Sequence, residues 1–274
     1  PDGVGETPEA KAADLVSNVI GTTLSDGSYT GMKALLSAPA KLGIKPRILG
    51  APGLSQQPVA TAFQSVAQDL RAMAYCGTYE STVSEAILYR NNFSARELML
   101  IHADFEKWST VENATVNAYT EAYALGLRAK IDTETGWHKT LSNVAVNGVT
   151  GITPAIYWDL QNPATDAGLL NEAAITTLVN RDGFRFWGSR TCSDEPLFAF
   201  ESATRSGQVI ADSIAEAHMW AVDKPMHPSI VKDIIEGVSA KMRDWVTNGY
   251  LLGGSCWFEE EVNQADTMKE GRLA

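Results

Sequence analysis

Arg47-Ile-Leu-Gly-Ala51, Ala74-Tyr-Cys-Gly77 and Glu97-Leu-Met-Leu-Ile-His102 are three short apolar runs, each of strand length. Helical patterns stand between them. Residues 59–73 place Ala62, Phe63, Val66, Ala67 and Leu70 on one face at the helical period. Residues 81–91 open with Ser81 or Thr82 as an N-cap and carry Glu85 in the first turn, where a carboxylate meets the positive end of the helix dipole. Strands that alternate with helices pair in parallel, because each helix carries the chain back to the starting edge. Residues 1–150 are therefore expected to form an α/β domain of three layers around a partly parallel sheet.

Outward from this core, residues 9–20 predict a helix through Ala13, Val16, Val19 and Ile20, and 32–36 predict a short helix broken at Pro39. Residues 115–130 are Ala-rich and read as helix. Turn formers crowd 133–147, so a domain boundary is placed near residue 150. Residues 151–274 change character. A strand is expected over 152–158 and a short helix over 166–174. Strands at 175–179 and 184–188 flank the hairpin turn Arg181-Asp182-Gly183. Two long helices follow, 198–222 and 229–247, the second ended by Asn248-Gly249. A last strand is expected over 250–259, interrupted at Gly253-Gly254. This order predicts an α+β second domain.

The 274 residues carry a net charge of −11, and no basic block interrupts the acidity. That argues against nucleic acid or an anionic membrane as the main partner, since phosphates require clustered Lys and Arg. No run of eighteen apolar residues predicts a transmembrane helix, and no signal peptide opens the chain. The three cysteines, Cys76, Cys192 and Cys256, are odd in number and far apart, which suits buried thiols in a reducing compartment.

Motifs for chemistry are sparse. His218 and His227 have no ligand partner at helical spacing, and His138 sits between Trp137 and Lys139 as a hydrogen-bonded structural imidazole. Gly50-Ala-Pro-Gly53 follows a strand but lacks the lysine of a phosphate loop. The best enzyme candidate is the strand-end group Gly50, His102 and Asp104, because ligands of open α/β sheets bind at the carboxyl ends of strands. Phe184, Phe186 and Trp187 read as strand packing under a helix. The helix over 229–247 can form an apolar face from Ile230, Ile234, Val238 and Met242, or from Val231, Ile235 and Trp245 nearby. Its outer face carries Lys232, Asp233, Glu236, Lys241, Arg243 and Asp244.

Two segments dense in Trp, Asn, Gly and Arg carry no catalytic spacing: Gly136-Trp-His-Lys-Thr-Leu-Ser-Asn-Val-Ala-Val-Asn-Gly-Val-Thr-Gly-Ile152, and Arg181-Asp-Gly-Phe-Arg-Phe-Trp-Gly-Ser-Arg-Thr-Cys-Ser-Asp194. With Lys45-Pro-Arg-Ile-Leu-Gly-Ala-Pro-Gly-Leu54, Asn92-Phe-Ser-Ala-Arg-Glu-Leu-Met99, Ala124-Leu-Gly-Leu-Arg-Ala-Lys-Ile-Asp132 and Ala215-Glu-Ala-His-Met-Trp-Ala-Val-Asp-Lys-Pro225, they closely resemble the tail sheath proteins of contractile-tailed temperate phages and R-type pyocins, in order and from end to end.

The resemblance implies a structural protein without catalytic residues, metal or cofactor. Subunits of that family stack as hexameric rings in a helical sleeve around a tail tube, between a baseplate and a tail terminator. Contraction drives the tube through the host envelope. The resemblance implies a place in the virion tail after assembly in the host cytoplasm. It makes 1–150 the outer domain and 151–274 the inner, tube-facing domain, with Lys232, Lys241 and Arg243 as candidate tube contacts. Family members extend further at both ends, with arms that add strands to neighbours. The chain is accordingly expected to be a monomeric fragment lacking those arms.

Overall fold

The computed structural model describes residues 4–225, 227–264 and 266. Helix α1, Pro8–Ile20, is capped by Thr7, whose hydroxyl accepts from the Ala10 N–H at 3.2 Å. It ends at Gly21, where φ is +73° and a Cβ would lie 1.9 Å from the Thr30 carbonyl oxygen. Only glycine fits that crossing. The expected short helix at 32–36 is a 3-10 turn, Gly31–Ser37, running into α2, Ala38–Leu42.

Strand β1 (Ile48–Leu49), helix α3 (Gln57–Leu70), strand β2 (Met73–Gly77), helix α4 (Val83–Arg90) and strand β3 (Leu98–Ile101) then alternate, and β1, β2 and β3 pair in parallel. Helix α4 begins with a reciprocal capping box between Thr82 and Glu85. Side chains of β2 and β3 divide by parity, as a period of two requires. Ala74, Cys76, Leu98 and Leu100 pack with Val59, Phe63, Val66 and Leu70 of α3. Met73, Tyr75, Met99 and Ile101 pack on the other face with Ala124, Leu127 and Ile131. The sheet therefore has helices on both faces.

The expectation of one helix over 115–130 is corrected here. Strands β4 (Asp104–Ser109) and β5 (Ala114–Ala118) form a hairpin, with Phe105 opposite Ala118 and Trp108 opposite Thr115. Asn113 turns the hairpin at φ +50°. Only after Tyr119 does helix α5 run, from Thr120–Glu134. The alanines at 114 and 118 look helical, but β-branched Thr115 and Val116 fit the ladder better.

Beyond it lie β6 (Ala145–Val146), β7 (Gly151–Thr153), α6 (Asp166–Glu172), β8 (Thr177–Asn180) and β9 (Phe184–Trp187). The strand expected over 152–158 stops at Thr153, because Pro154 has no N–H to extend the ladder. Strand β7 completes the sheet β5-β4-β7. The hairpin β8–β9 forms as its Asp-Gly turn predicts. The Thr176 N–H donates to the Leu100 carbonyl at 2.9 Å, and the His102 N–H donates to the Thr176 carbonyl at 2.8 Å. The order β6-β9-β8 is thereby continued beside β3. Phe105 meets Tyr123, Phe186 and Phe184 edge-on at ring-centroid distances of 5.3, 5.6 and 6.5 Å. Such pairs contribute roughly 0.5–1.5 kcal/mol each beyond area burial.

Helix α7 spans Glu201–Ala217, shorter than the expected 198–222, with 3-10 turns Pro196–Phe198 before it and Met219–Ala221 after it. Helix α8, Pro228–Thr247, has proline in its first turn, and the His227 ring accepts from the Ser229 N–H. The strand expected over 250–259 is not formed. The N–H groups of Tyr250 and Leu251 turn back to the Trp245 carbonyl, and Gly253-Gly254 offers no side chain for a ladder.

The chain divides into two compact units, one of Pro1–Thr135 with Lys139–Arg205, the other of Gly136–His138 with Ser206–Ala274. Within the first lies a fully buried guanidinium. Arg128 donates to Glu201 at 3.2 Å, to Asp132 at 2.8 Å and to the Lys139 carbonyl at 2.6 Å. Glu201 also accepts from Tyr75 at 2.5 Å and from Thr140 at 3.1 Å, and Arg205 pairs with Asp132. Burial and the Glu201 carboxylate hold the Tyr75 hydroxyl well above its ordinary range. Arg128→Met is predicted to cost about 3–5 kcal/mol, because it leaves Glu201 buried without its countercharge. Urea unfolding of purified protein measures this, and a loss under about 1 kcal/mol contradicts it.

Candidate interaction surfaces

The strand-end group separates into unrelated roles. A Cβ on Gly50 would lie 3.0 and 3.1 Å from the Leu125 methyls and 3.1 Å from the Tyr75 carbonyl, so the glycine admits close packing of helix against sheet. His102 is buried, with Nδ1 2.9 Å from the Thr78 hydroxyl and, among the described residues, no hydrogen-bond partner on Nε2. Asp104 faces elsewhere. Its carboxylate accepts from the Thr120 N–H at 2.8 Å and from Asn117 at 3.0 Å. It thus serves the start of α5, whose own N-cap residue, Tyr119, makes no side-chain capping bond.

A buried carboxylate that the sequence reading missed lies close by. Glu121 Oε1 accepts from Ser55 at 2.7 Å, from the Gly77 N–H at 3.0 Å and from the Tyr79 hydroxyl. These bonds tie the carboxyl end of β2 to α5. A glutamate in a first helical turn reads as a dipole partner, so no local signal marked it as buried.

Cys76, Cys192, His218 and His138 take part in packing and hydrogen bonds. Burial raises the thiols of Cys76 and Cys192, the latter to about 12, which keeps both protonated and inert. The His218 ring, just past the end of α7, lies 2.7 Å from the Ile214 carbonyl in the last turn of that helix. His138 packs on Tyr250 at 4.8 Å, and Trp137 meets Trp245 edge-on at 6.0 Å. Among the described residues, no group of three or more His, Cys, Asp or Glu is placed to hold a metal ion.

On α8 the apolar stripe faces inward, with Val238 and Trp245 buried. The three candidate cations do not share one outer face. At about 100° per residue, Lys232 and Arg243 lie roughly 20° apart, while Lys241 lies about 180° from Lys232. Lys232 is exposed and sits 3.8 Å from Glu236. Arg243 is exposed and has no ion pair among the described residues. Lys241 bonds Asp244 at 2.9 Å and lies over the Trp245 ring at 5.2 Å. It also lines a groove with Ile214, Trp220 and Asp233.

The second unit leaves large apolar side chains in water. Leu252, Trp257, Met219 and Val222 are all more than half exposed. Leu252 and Trp257 lie on the unpaired stretch expected to be a strand. Exposed apolar groups on unpaired backbone suit partner binding better than an isolated surface.

Residues 27–192 match the phage tail sheath protein central domain, and 193–274 match the phage tail sheath C-terminal domain. The tail sheath protein of Escherichia phage P2 is 58% identical over 273 residues, covering 99% of this chain and 69% of the relative. The major tail sheath protein of Serratia phage KSP20 is 47% identical over 256 residues, covering 93% of this chain and 65% of the relative. Among solved structures, the sheath complex of an extracellular contractile injection system in its contracted state has a TM-score of 0.71 at 17% identity. That match covers 98% of this chain and 75% of the other. This mixed α/β body is therefore of the class of contractile-sheath subunits, whose role is structural. The chain belongs to the phage tail sheath family.

His102 supplies a test of the strand-end assignment. Burial outweighs the attraction of Asp104 and lowers its pKa, so the folded state favours the neutral ring. The unfolded chain therefore takes up the proton first as pH falls below about 6.5. The stability that His102 contributes is complete above that pH and is lost on acidification through the lowered folded pKa. His102→Asn should flatten the dependence of unfolding free energy on pH between about 7 and 5. An unchanged slope in that window contradicts the assignment.

Proposed function

We propose that this chain is the folded body of a sheath subunit that polymerises around a tail tube as stacked hexameric rings. Contraction then drives the tube through the host envelope. Its neighbours are further copies of itself, the tube, the baseplate and the tail terminator. Its place is the tail of the virion, assembled in the host cytoplasm, and it carries no catalytic role. The observation that carries this reading is membership of the tail sheath family along nearly the whole chain.

In this reading residues 1–150 form the outer domain and the tube-facing side lies within 151–274, where α7 and α8 stand. The chain is monomeric until sheath arms add strands to it. The stretch 250–258 receives such a strand: its backbone lies outside any ladder among the described residues, and its Leu252 and Trp257 are exposed. Contraction exchanges one set of contacts between copies for a better one while the folded body stays intact. A gain of a few kcal/mol per copy, typical of two-state elements, sums along the sleeve.

The tube contact is assigned to the face of α8 bearing Lys232 and Arg243, with Lys241 on the opposite flank. Lys232→Glu with Arg243→Glu, placed in the sheath protein of assembling tails, should lower the number of sheathed tails at least tenfold by electron microscopy. Lys241→Glu should have a smaller effect. Normal sheathed tails from the double variant contradict the contact.

A further inference from the structure

The first unit carries a groove that is open among the described residues. It has a volume of about 500 Å³ and lies between α5, β4 and β6, lined by Tyr123, Gly126, Leu127, Lys130, Lys107 and Val146 among others. Three independent features mark it. The first is Gly126. Glycine inside a helix is unfavourable relative to alanine. Here φ is not in the left-handed region, and a Cβ at this position would meet nothing within 4 Å. Neither the backbone conformation nor the packing of this chain requires glycine there. What glycine does provide is a low groove floor, open to the backbone of something else.

The second feature is β6. It pairs with β9 on one side, through Ala145 to Arg185 and Val146 to Phe184, and among the described residues no strand pairs with its other side. The groove thus runs beside an unpaired sheet edge able to accept another strand.

The third feature is charge. Lys107 continues the inward face of β4 two residues beyond Phe105 and is exposed, with no ion pair among the described residues. Lys130 stands across the groove on α5, exposed and only 4.0 Å from Glu134. In a chain with 33 acidic and 22 basic residues, two lysines flanking one apolar groove complement another copy of the chain itself.

We infer that the α5–β6 groove is a docking site for an extended, acid-rich segment of a second copy, laid over Gly126 and along β6 between Lys107 and Lys130. This rests on the sheath reading above and adds a specific contact to it. Tyr123 and Leu127 would cover the apolar side chains of that segment, and Gly126 would admit its backbone.

The test is assembly of the sheath protein carrying Gly126→Leu, Gly126→Ala or the pair Lys107→Glu and Lys130→Glu, read by sedimentation and electron microscopy beside thermal unfolding. Removal of a helical glycine should hold or raise the melting temperature of both Gly126 variants, by about 1–4 °C for Gly126→Ala. Assembly should nevertheless fall at least tenfold for Gly126→Leu and for the double charge reversal. A merely structural glycine would move stability and assembly in the same direction. If Gly126→Leu melts early, the charge reversal alone decides. Cross-linking from position 130 in a mixture of isotopically light and heavy copies identifies the occupant. Light-to-heavy pairs through an acidic segment support the inference. Cross-links confined to one copy, or reaching only the tube protein, overturn it. Normal sheaths from both Gly126→Leu and the charge reversal overturn the groove and leave the sheath role standing, whereas failure of the unaltered sheath protein, with its arms and in assembling tails, to form sheaths overturns both.

Discussion

A guanidinium with no exposure to water cannot be left without carboxylates, and Arg128 is the largest fully buried side chain among the described residues. Its charge is met by Glu201, 73 residues away in sequence, and by Asp132 one turn along α5. Arg205 balances the second carboxylate, so two positive and two negative groups close the cluster. The segments that supply them are β2 through Tyr75, the middle of α5, the backbone near Lys139 and the first turns of α7. Each segment satisfies its polar groups only when the others are in place. A hydrophobic cluster tolerates sliding; a closed ionic cluster in low dielectric does not, because any displacement strands a charge.

That constraint suits a subunit that must move as a body. The parallel sheet, its two helical faces and the aromatic contacts around Phe105 form one interior, pinned by the ionic cluster. The surfaces have the opposite character. Among the described residues, the stretch 250–258 lies outside any ladder, β6 has an unpaired side, and Gly126 of α5 has open space where a Cβ would stand. A rigid interior with unsatisfied edges lets contacts between copies change while the fold does not.

Much of the fold was legible because it rests on local signals. The strands at β1, β2 and β3 are continuous apolar runs, the capping box of α4 lies in Thr82 and Glu85, and the Asp-Gly turn announces the β8–β9 hairpin. Where a local signal misled, a neighbour decided. Ala114 and Ala118 look helical until β4 is seen to pair with them. The strand pattern at 250–259 has no partner strand among the described residues. The buried charges were illegible for a related reason. Glu121 reads as an ordinary first-turn acid, and Glu201 and Arg205 as exposed helix residues, because burial is set by contacts far off in sequence. Family resemblance was carried by sequence order, and the three cations of α8 could be named from it. Their division between opposite flanks follows only from counting helical turns.

Backbone hydrogen exchange compared between unassembled protein and assembled sheath tests the central claim most directly, namely that assembly completes open edges on a body already closed. Slow exchange should persist unchanged in β2, β3 and the middle of α5, while 250–258 and Ala145–Val146 change from fast to slow. Exchange at those edges that stays fast in the sheath, or a core that gains its protection only on assembly, would contradict the account.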